Sequence, residues 1–197
     1  MTTEGAAEVA VIYHSGYGHT KVQAEAVRDG VAEVPGAVVH FLTVDEAEEQ
    51  FDLLDRVDAM IFGAPTYMGS ASARFKQFME KGSKAWMEQS WKDKLAAGFT
   101  NSGSQSGDKL NTLVELSLFA AQQSMVWVSL GMMPGNNSTT GSPEDLNRIG
   151  AYLGAMAQSD IDAGPDVAPP PADRATAKHL GKRVAEMAVR WRAGAAA

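Results

Sequence analysis

The sequence predicts an α/β protein built on a doubly wound parallel sheet with helices on both faces. Two observations carry this reading. Short apolar runs recur at residues 9–13, 37–42, 59–64, 95–100 and 125–130 without alternating with polar residues, as strands buried on both faces require. Stripes of helical period lie between them, and strands that alternate with helices form βαβ units whose right-handed crossovers cover a sheet on either side.

The first run leads into Ser15, Gly16, Tyr17, Gly18, His19 and Thr20, ahead of a helix-patterned stretch that starts near Lys21. A strand, a Gly-rich turn and a helix in succession aim free backbone amides at one point, where the helix dipole also favours an anion. A P-loop needs Gly-x-x-x-x-Gly-Lys-Ser/Thr, but here Lys21 follows Thr20 and the glycines stand two apart, which argues against ATP or GTP. The dinucleotide fingerprint fails at its third glycine, where Lys21 stands, and no acid closes the second run. What remains suits a terminal phosphate held by hydroxyls and backbone donors. An ordinary strand-to-helix turn with Thr20 as N-cap uses the same residues.

The later elements follow in order. Val22, Ala26, Val27, Gly30 and Val31 make the first helical stripe, which Pro35 and Gly36 end. Phe51 and Leu54, set among acids, suggest a helix over 45–55. Phe75, Phe78, Met79 and Gly82 form the next stripe; Leu110, Leu113, Val114, Leu118 and Ala121 another; Ala177, Leu180, Gly181, Val184 and Ala188 the last. The polar stretch 131–147 reads as a functional loop, an oligomer contact or a plain surface insertion. Residues 164–171, with a triple proline, read as a surface connector that returns the last helix to the sheet.

Composition sets limits. A chain of 197 residues can form a single domain, 1–197, that buries roughly 70% of its unfolded surface; residues 1–7 and 193–197 read as flexible ends. The net charge of −7 and the lack of a basic stripe argue against nucleic-acid binding. With no cysteine, thiolate catalysis and iron–sulfur clusters are excluded, and a reducing compartment fits. No apolar stretch approaches the ~20 residues of a membrane span, and the acidic N-terminal stretch lacks the positive flank of a signal peptide. A soluble cytoplasmic protein is expected. His14, His19, His40 and His179 are scattered, without zinc spacing or a Ser-His-Asp arrangement, so no metal site is expected.

In an open parallel sheet ligands bind beyond the carboxyl ends of the strands. After the third run come Pro65, Thr66, Tyr67, Met68 and Gly69, a restrained turn able to wall a planar ring, although a βα turn capped by Ser70 or Ser72 also accounts for it. After the fourth come Thr100, Asn101, Ser102, Gly103, Ser104 and Gln105, continuing through Ser106, Gly107 and Asp108 with no apolar side chain. That composition suits a nest of donors around an oxygen-rich edge, and equally a mobile surface loop. Together with the phosphate seat, these loops specify a mononucleotide with a planar, carbonyl-bearing base. Flavin mononucleotide (FMN) is that molecule.

On residues 15–20, 63–69, 75–78 and 99–107 together with Trp86, the chain resembles the flavodoxin-like NAD(P)H:quinone oxidoreductases of the WrbA type, within the NADPH-dependent FMN reductase family. The resemblance implies a five-stranded sheet of order 2-1-3-4-5, FMN as prosthetic group, and NADH or NADPH as co-substrate. By that resemblance Ser15 to Thr20 hold the phosphate, Thr66, Tyr67 and Met68 line the isoalloxazine, and Thr100 to Gln105 bind its pyrimidine edge. Tyr17 and Trp86 would meet the nicotinamide or the quinone-like acceptor, which exchange by ping-pong turnover. Two departures stand out. The family's flavin-facing histidine is Gln123 here, able to offer a hydrogen bond but not a proton, and the family's tetramer contacts fall partly in the altered region 132–148. Met132 and Met133, apolar residues after the fifth run, suggest a homo-oligomer, dimer or tetramer. The alternatives are a flavodoxin-type one-electron carrier and a reductase that supplies reduced FMN to a partner monooxygenase.

Overall fold

A computed structural model describes residues 5–195 of the protein. The elements run β1 (Ala7–Tyr13), α1 (His19–Ala32), β2 (Ala37–Thr43), α2 (Val44–Glu48), α3 (Phe51–Leu54), β3 (Ala59–Tyr67), β4 (Ser70–Ala71), α4 (Ala73–Lys81), α5 (Ser83–Glu88), β5 (Leu95–Ser102), α6 (Lys109–Gln122), β6 (Val126–Trp127), β7 (Ala155–Gln158) and α7 (Pro171–Ala195). Of the ends read as flexible, residues 1–4 and 196–197 lie outside the described residues, β1 already begins at Ala7, and α7 runs to Ala195.

The apolar runs are continuous because alternate residues feed opposite cores. Along β1, Val9, Val11 and Tyr13 join the core under α1 and α7, while Ala10 and Ile12 join the aromatic core of Phe62, Phe75, Phe78, Trp91 and Phe119 on the other face. Both faces are therefore covered, as a parallel sheet requires.

The five-stranded order 2-1-3-4-5 is corrected to a seven-stranded sheet of order β2-β1-β3-β5-β6, with β4 antiparallel to the end of β3 and β7 parallel to β5. The fifth run yields only two strand residues. β6 pairs with Leu95 and Ala96, and the carboxyl half of β5, from Phe99 to Ser102, takes β7 instead. Between them the chain leaves the ladder, turning at Gly131 with φ 62°. Gly154 brings it back so close to the Gly98 carbonyl that a Cβ there would collide with it. The intervening loop is stapled by Asn147, whose side chain bonds the Met132 and Ala151 carbonyls and the Ala151 amide.

The helix expected over 45–55 divides in two. Thr43 and Glu46 form a reciprocal capping box that starts α2, and α3 follows after Gln50. At α1 the cap is Gly18 in a left-handed conformation, so Thr20 is not the N-cap but the second helical residue.

α1 and α7 approach through their glycines. A Cβ at Gly30 would strike the Lys178 carbonyl, and one at Gly181 the Val27 carbonyl, which is the reason both stripes carry a glycine where alanine is the better helix former. Gly30→Ala or Gly181→Ala is expected to cost about 1–3 kcal/mol in urea unfolding, because backbone has to give way. Gly194→Ala, whose Cβ would meet nothing, should stay within about 0.5 kcal/mol of the parent.

Candidate active site

Three strands deliver the site to one edge of the sheet. Tyr13 of β1 lies beside Gly63 of β3, and Gly63 beside Phe99 of β5; β1 ends there, while β3 and β5 run on to Tyr67 and Ser102 and so extend past the turn that follows β1. Gly18, at φ 93°, makes the turn into α1. The Ser15 hydroxyl organises this turn from within by accepting from the amides of Gly18 and Lys21, each at 3.1 Å. The Tyr67 hydroxyl packs so close to Gly16 that a side chain at Gly16 would collide with it. Among the described residues the amides of Tyr17, His19 and Thr20 have no protein partner. They lie at the positive end of α1, where free backbone donors suit an anion.

These groups face a cavity of about 540 Å³, within the ordinary range for ligand sites. Tyr17, His19 and Thr20 line it from the first loop, Pro65, Thr66 and Tyr67 from the second, and Asn101, Ser102 and Gly103 from the third. Ser159, Ile161, Ala163, Gly164 and Pro165 make a further wall, of which the sequence assigns only Gly164 and Pro165, to a surface connector, and leaves the rest without a role. That wall is tied down: His19 Nε2 donates to the Ala163 carbonyl at 2.8 Å, and the Ser159 hydroxyl donates to Asn101 Oδ1 at 3.0 Å. The signal for it was the glycine at 18, since only a residue without Cβ admits Pro165 so near.

Other expected residues stand elsewhere. Met68 is fully exposed at φ 49°, on the tip of the β3–β4 hairpin, with Gly69 beside it at φ 79°. Thr100 is wholly buried; it and Thr112 each sit 2.8 Å from the Thr66 hydroxyl, so these hydroxyls serve one another beneath the wall. Ser104 offers its carbonyl to the Ser102 hydroxyl, and Gln105 lines a second, shallower groove with Leu110 and Val114. Trp86, half exposed on α5, does not line the cavity. Gln123 does not either: it is buried at the far end of α6, just ahead of β6, where its Nε2 donates to the Gly82 carbonyl at 3.0 Å.

The electrostatics are those of a neutral pocket. No side chain that lines the cavity is an acid, lysine or arginine. Burial raises the Tyr67 phenol, keeping it protonated, and burial followed by the Arg74 guanidinium lowers His14, which sits 2.8 Å from the Ser72 hydroxyl. Among the described residues no cluster of three or more His, Asp or Glu could hold a metal. The chemistry of the lining fits FMN, with unpaired amides and the buried Thr20 as donors from the start of α1, and Tyr67, Pro65, Asn101 and Ser102 along the other walls.

Comparison with known proteins agrees. A family model described as NADPH-dependent FMN reductase matches residues 10–140. Flavodoxin FldP of Pseudomonas aeruginosa is 41% identical over 184 residues, which cover 91% of this chain and 96% of that protein. An NAD(P)H dehydrogenase (quinone) of Archaeoglobus fulgidus is 32% identical over 204 residues, covering 92% and 97% of the two chains. The crystal structure of a flavodoxin, WrbA-like protein from Agrobacterium tumefaciens superposes with a TM-score of 0.71 at 39% identity, covering 94% of this chain and 99% of that one. With more than half of its length inside the family model, the chain belongs to the NADPH-dependent FMN reductase family, oxidoreductases that work with FMN and NAD(P)H.

Proposed function

We propose that the protein passes a hydride from NADH or NADPH, through bound FMN, to a quinone-like acceptor by ping-pong turnover. The observation that carries this is the cavity itself, lined by free backbone donors at the start of α1 and by the exposed aromatic ring of Tyr17. When bound, the flavin supplies the hydride-accepting and hydride-donating centre, so no side-chain nucleophile is needed. The amides of Tyr17, His19 and Thr20 and the Thr20 hydroxyl hold the phosphate, while Ser15 keeps that turn in shape. Tyr67 and Pro65 wall the ring, and Asn101, Ser102 and Gly103 meet its pyrimidine edge. Tyr17, 77% exposed and set edge-on to Tyr67 at 6.1 Å, offers a face to the visiting nicotinamide or quinone. Trp86 and Met68 lie outside the cavity wall, so a role for either is confined to its approach.

The flavodoxin-type carrier stays as a second reading because of the relative of that name and because of the rim. The loops at 65–69 and 100–108 bring one acid, Asp108, but the wall missed in sequence adds Asp160, Asp162 and Asp166, all exposed. Acidic docking at the rim is therefore available. A reductase that releases reduced FMN to a monooxygenase is the third reading, and weak flavin retention in gel filtration would favour it. A cytoplasmic location fits a chain without cysteine, in which no described helix is long and apolar enough to cross a membrane.

We also propose a homo-oligomer, dimer or tetramer. Met132 packs against the core, so only Met133 bears out the concern over exposed methionines; the broader apolar face is Leu110, Val114 and Leu118 along α6.

Three outcomes are expected. Purified protein should quench FMN fluorescence on binding, and anaerobic NADH or NADPH should bleach the bound flavin, with colour restored by a quinone; flavin that bleaches only with dithionite would instead favour the carrier. Thr20→Val, which removes one buried donor, should weaken FMN binding about tenfold in a fluorescence titration without unfolding the chain. Sedimentation at micromolar concentration should show a dimer or tetramer, and Leu110→Glu with Leu118→Glu should shift it to monomer, since like charges would then meet across a desolvated face.

A further inference from the structure

Lys109, the first residue of α6, is 1% exposed and among the largest fully buried side chains. Its position is costly in two ways. An ammonium there is out of water, and it stands at the positive end of its own helix. No carboxylate touches it: Asp173 is occupied by Arg148 through two contacts of 2.8 Å. Instead Nζ spends its donors on the loop that walls the cavity, reaching Ser102 Oγ at 2.8 Å, the Ser104 carbonyl at 3.0 Å and the Gln105 carbonyl at 2.8 Å. Burial pushes the ammonium down to about 8, which still leaves it mostly charged at neutral pH.

The consequence is an orientation. In a trans peptide the carbonyl and the following amide point in opposite directions. With the carbonyls of Ser104 and Gln105 drawn to the lysine, the amides of Gln105 and Ser106 face away from it, on the side of the second groove, and the loop between Ser102 and Gln105 is fixed in one conformation. Ser102, which lines the cavity, is thereby tied through its hydroxyl to the ammonium and to the Ser104 carbonyl.

We propose that Lys109 is a positioning residue that pins the 102–105 loop, and with it the wall that Asn101, Ser102 and Gly103 give the cavity, and sets a positive charge behind Ser102 at that wall. This rests on FMN being the occupant of the cavity. The charge then favours the electron-rich, reduced flavin and raises its potential, while the pinned loop raises affinity for either redox state.

Lys109→Met keeps the length and removes the donors; Ser102→Ala removes one acceptor and is the milder change should the first fail to fold. In the flavin-free protein, Lys109→Met should speed hydrogen exchange at amides 103–107 and leave the β1 and β3 amides as they were. With FMN, it should weaken binding about tenfold to a hundredfold by fluorescence titration and lower the midpoint potential of the bound flavin. Ser102→Ala should move the same readings in the same direction, by less. Unchanged exchange overturns the proposal, and so does faster exchange with parental affinity and potential, since the lysine would then only hold the loop. If the parent protein itself fails to bind FMN, the cofactor reading falls, and the exchange comparison alone still decides whether Lys109 orders the loop.

Discussion

The structure depends first on the register of three parallel strands. Tyr13, Gly63 and Phe99 stand side by side, so the ends of β3 and β5 extend past the turn after β1, and polar groups from all three segments line one cavity. A slip of one residue in β3 would exchange its two faces, sending Met60 and Phe62 to the α1 side and Ile61 to the aromatic side. Gly63 makes such a slip costly, because the Phe99 ring lies where any side chain at that position would go. Placement of the site is thus a property of the core rather than of the loops.

The loops in turn lean on α6. Asn111 donates to the Gly69 carbonyl at 2.7 Å, Glu115 accepts from the Ser70 hydroxyl and the Ala71 amide, and Thr112 closes the buried hydroxyl cluster with Thr66 and Thr100. Lys109 completes the set. One face of the first two turns of a single helix therefore fixes the wall after β3 and the wall after β5, while the turn after β1 is organised through Ser15. Exposed, strained Met68 can sit at the hairpin tip because the residues on either side of it are held.

Much of this was legible in the chain. Continuous apolar runs gave the strands because both faces are buried, and the glycines at 30 and 181 fell on the stripes that now touch. Two features were not. The split of the last strand position arises from residues 99–102 choosing β7, a pairing between segments over fifty residues apart that leaves no mark on local periodicity. The fourth wall was hidden because Gly164 and Pro165 read as punctuation, and only tertiary packing shows that Gly18 and His19 hold them against the phosphate turn. Lys109 was passed over for a related reason: a lysine at the edge of a polar loop reads as solvated until its burial is seen.

In the proposed reading the cavity separates what stays from what exchanges. Groups suited to the phosphate and pyrimidine ends are buried or pinned: Thr20 at 2% exposure, Asn101 at 5% and Ser102 at 8%. The rim is the reverse, with Tyr17 exposed and Ile161 nearly so throughout, and neither makes a polar contact that a visitor would have to break. An apolar rim recognises flat rings by area alone, which suits two unlike guests taking turns at one face. Exposed acids, Asp160, Asp162 and Asp166, stand beside that rim, so the two proposed readings draw on neighbouring surfaces. What distinguishes the two is whether a nicotinamide can reach the ring past Tyr17 and Ile161, and at that opening no charged side chain lines the wall to oppose its entry.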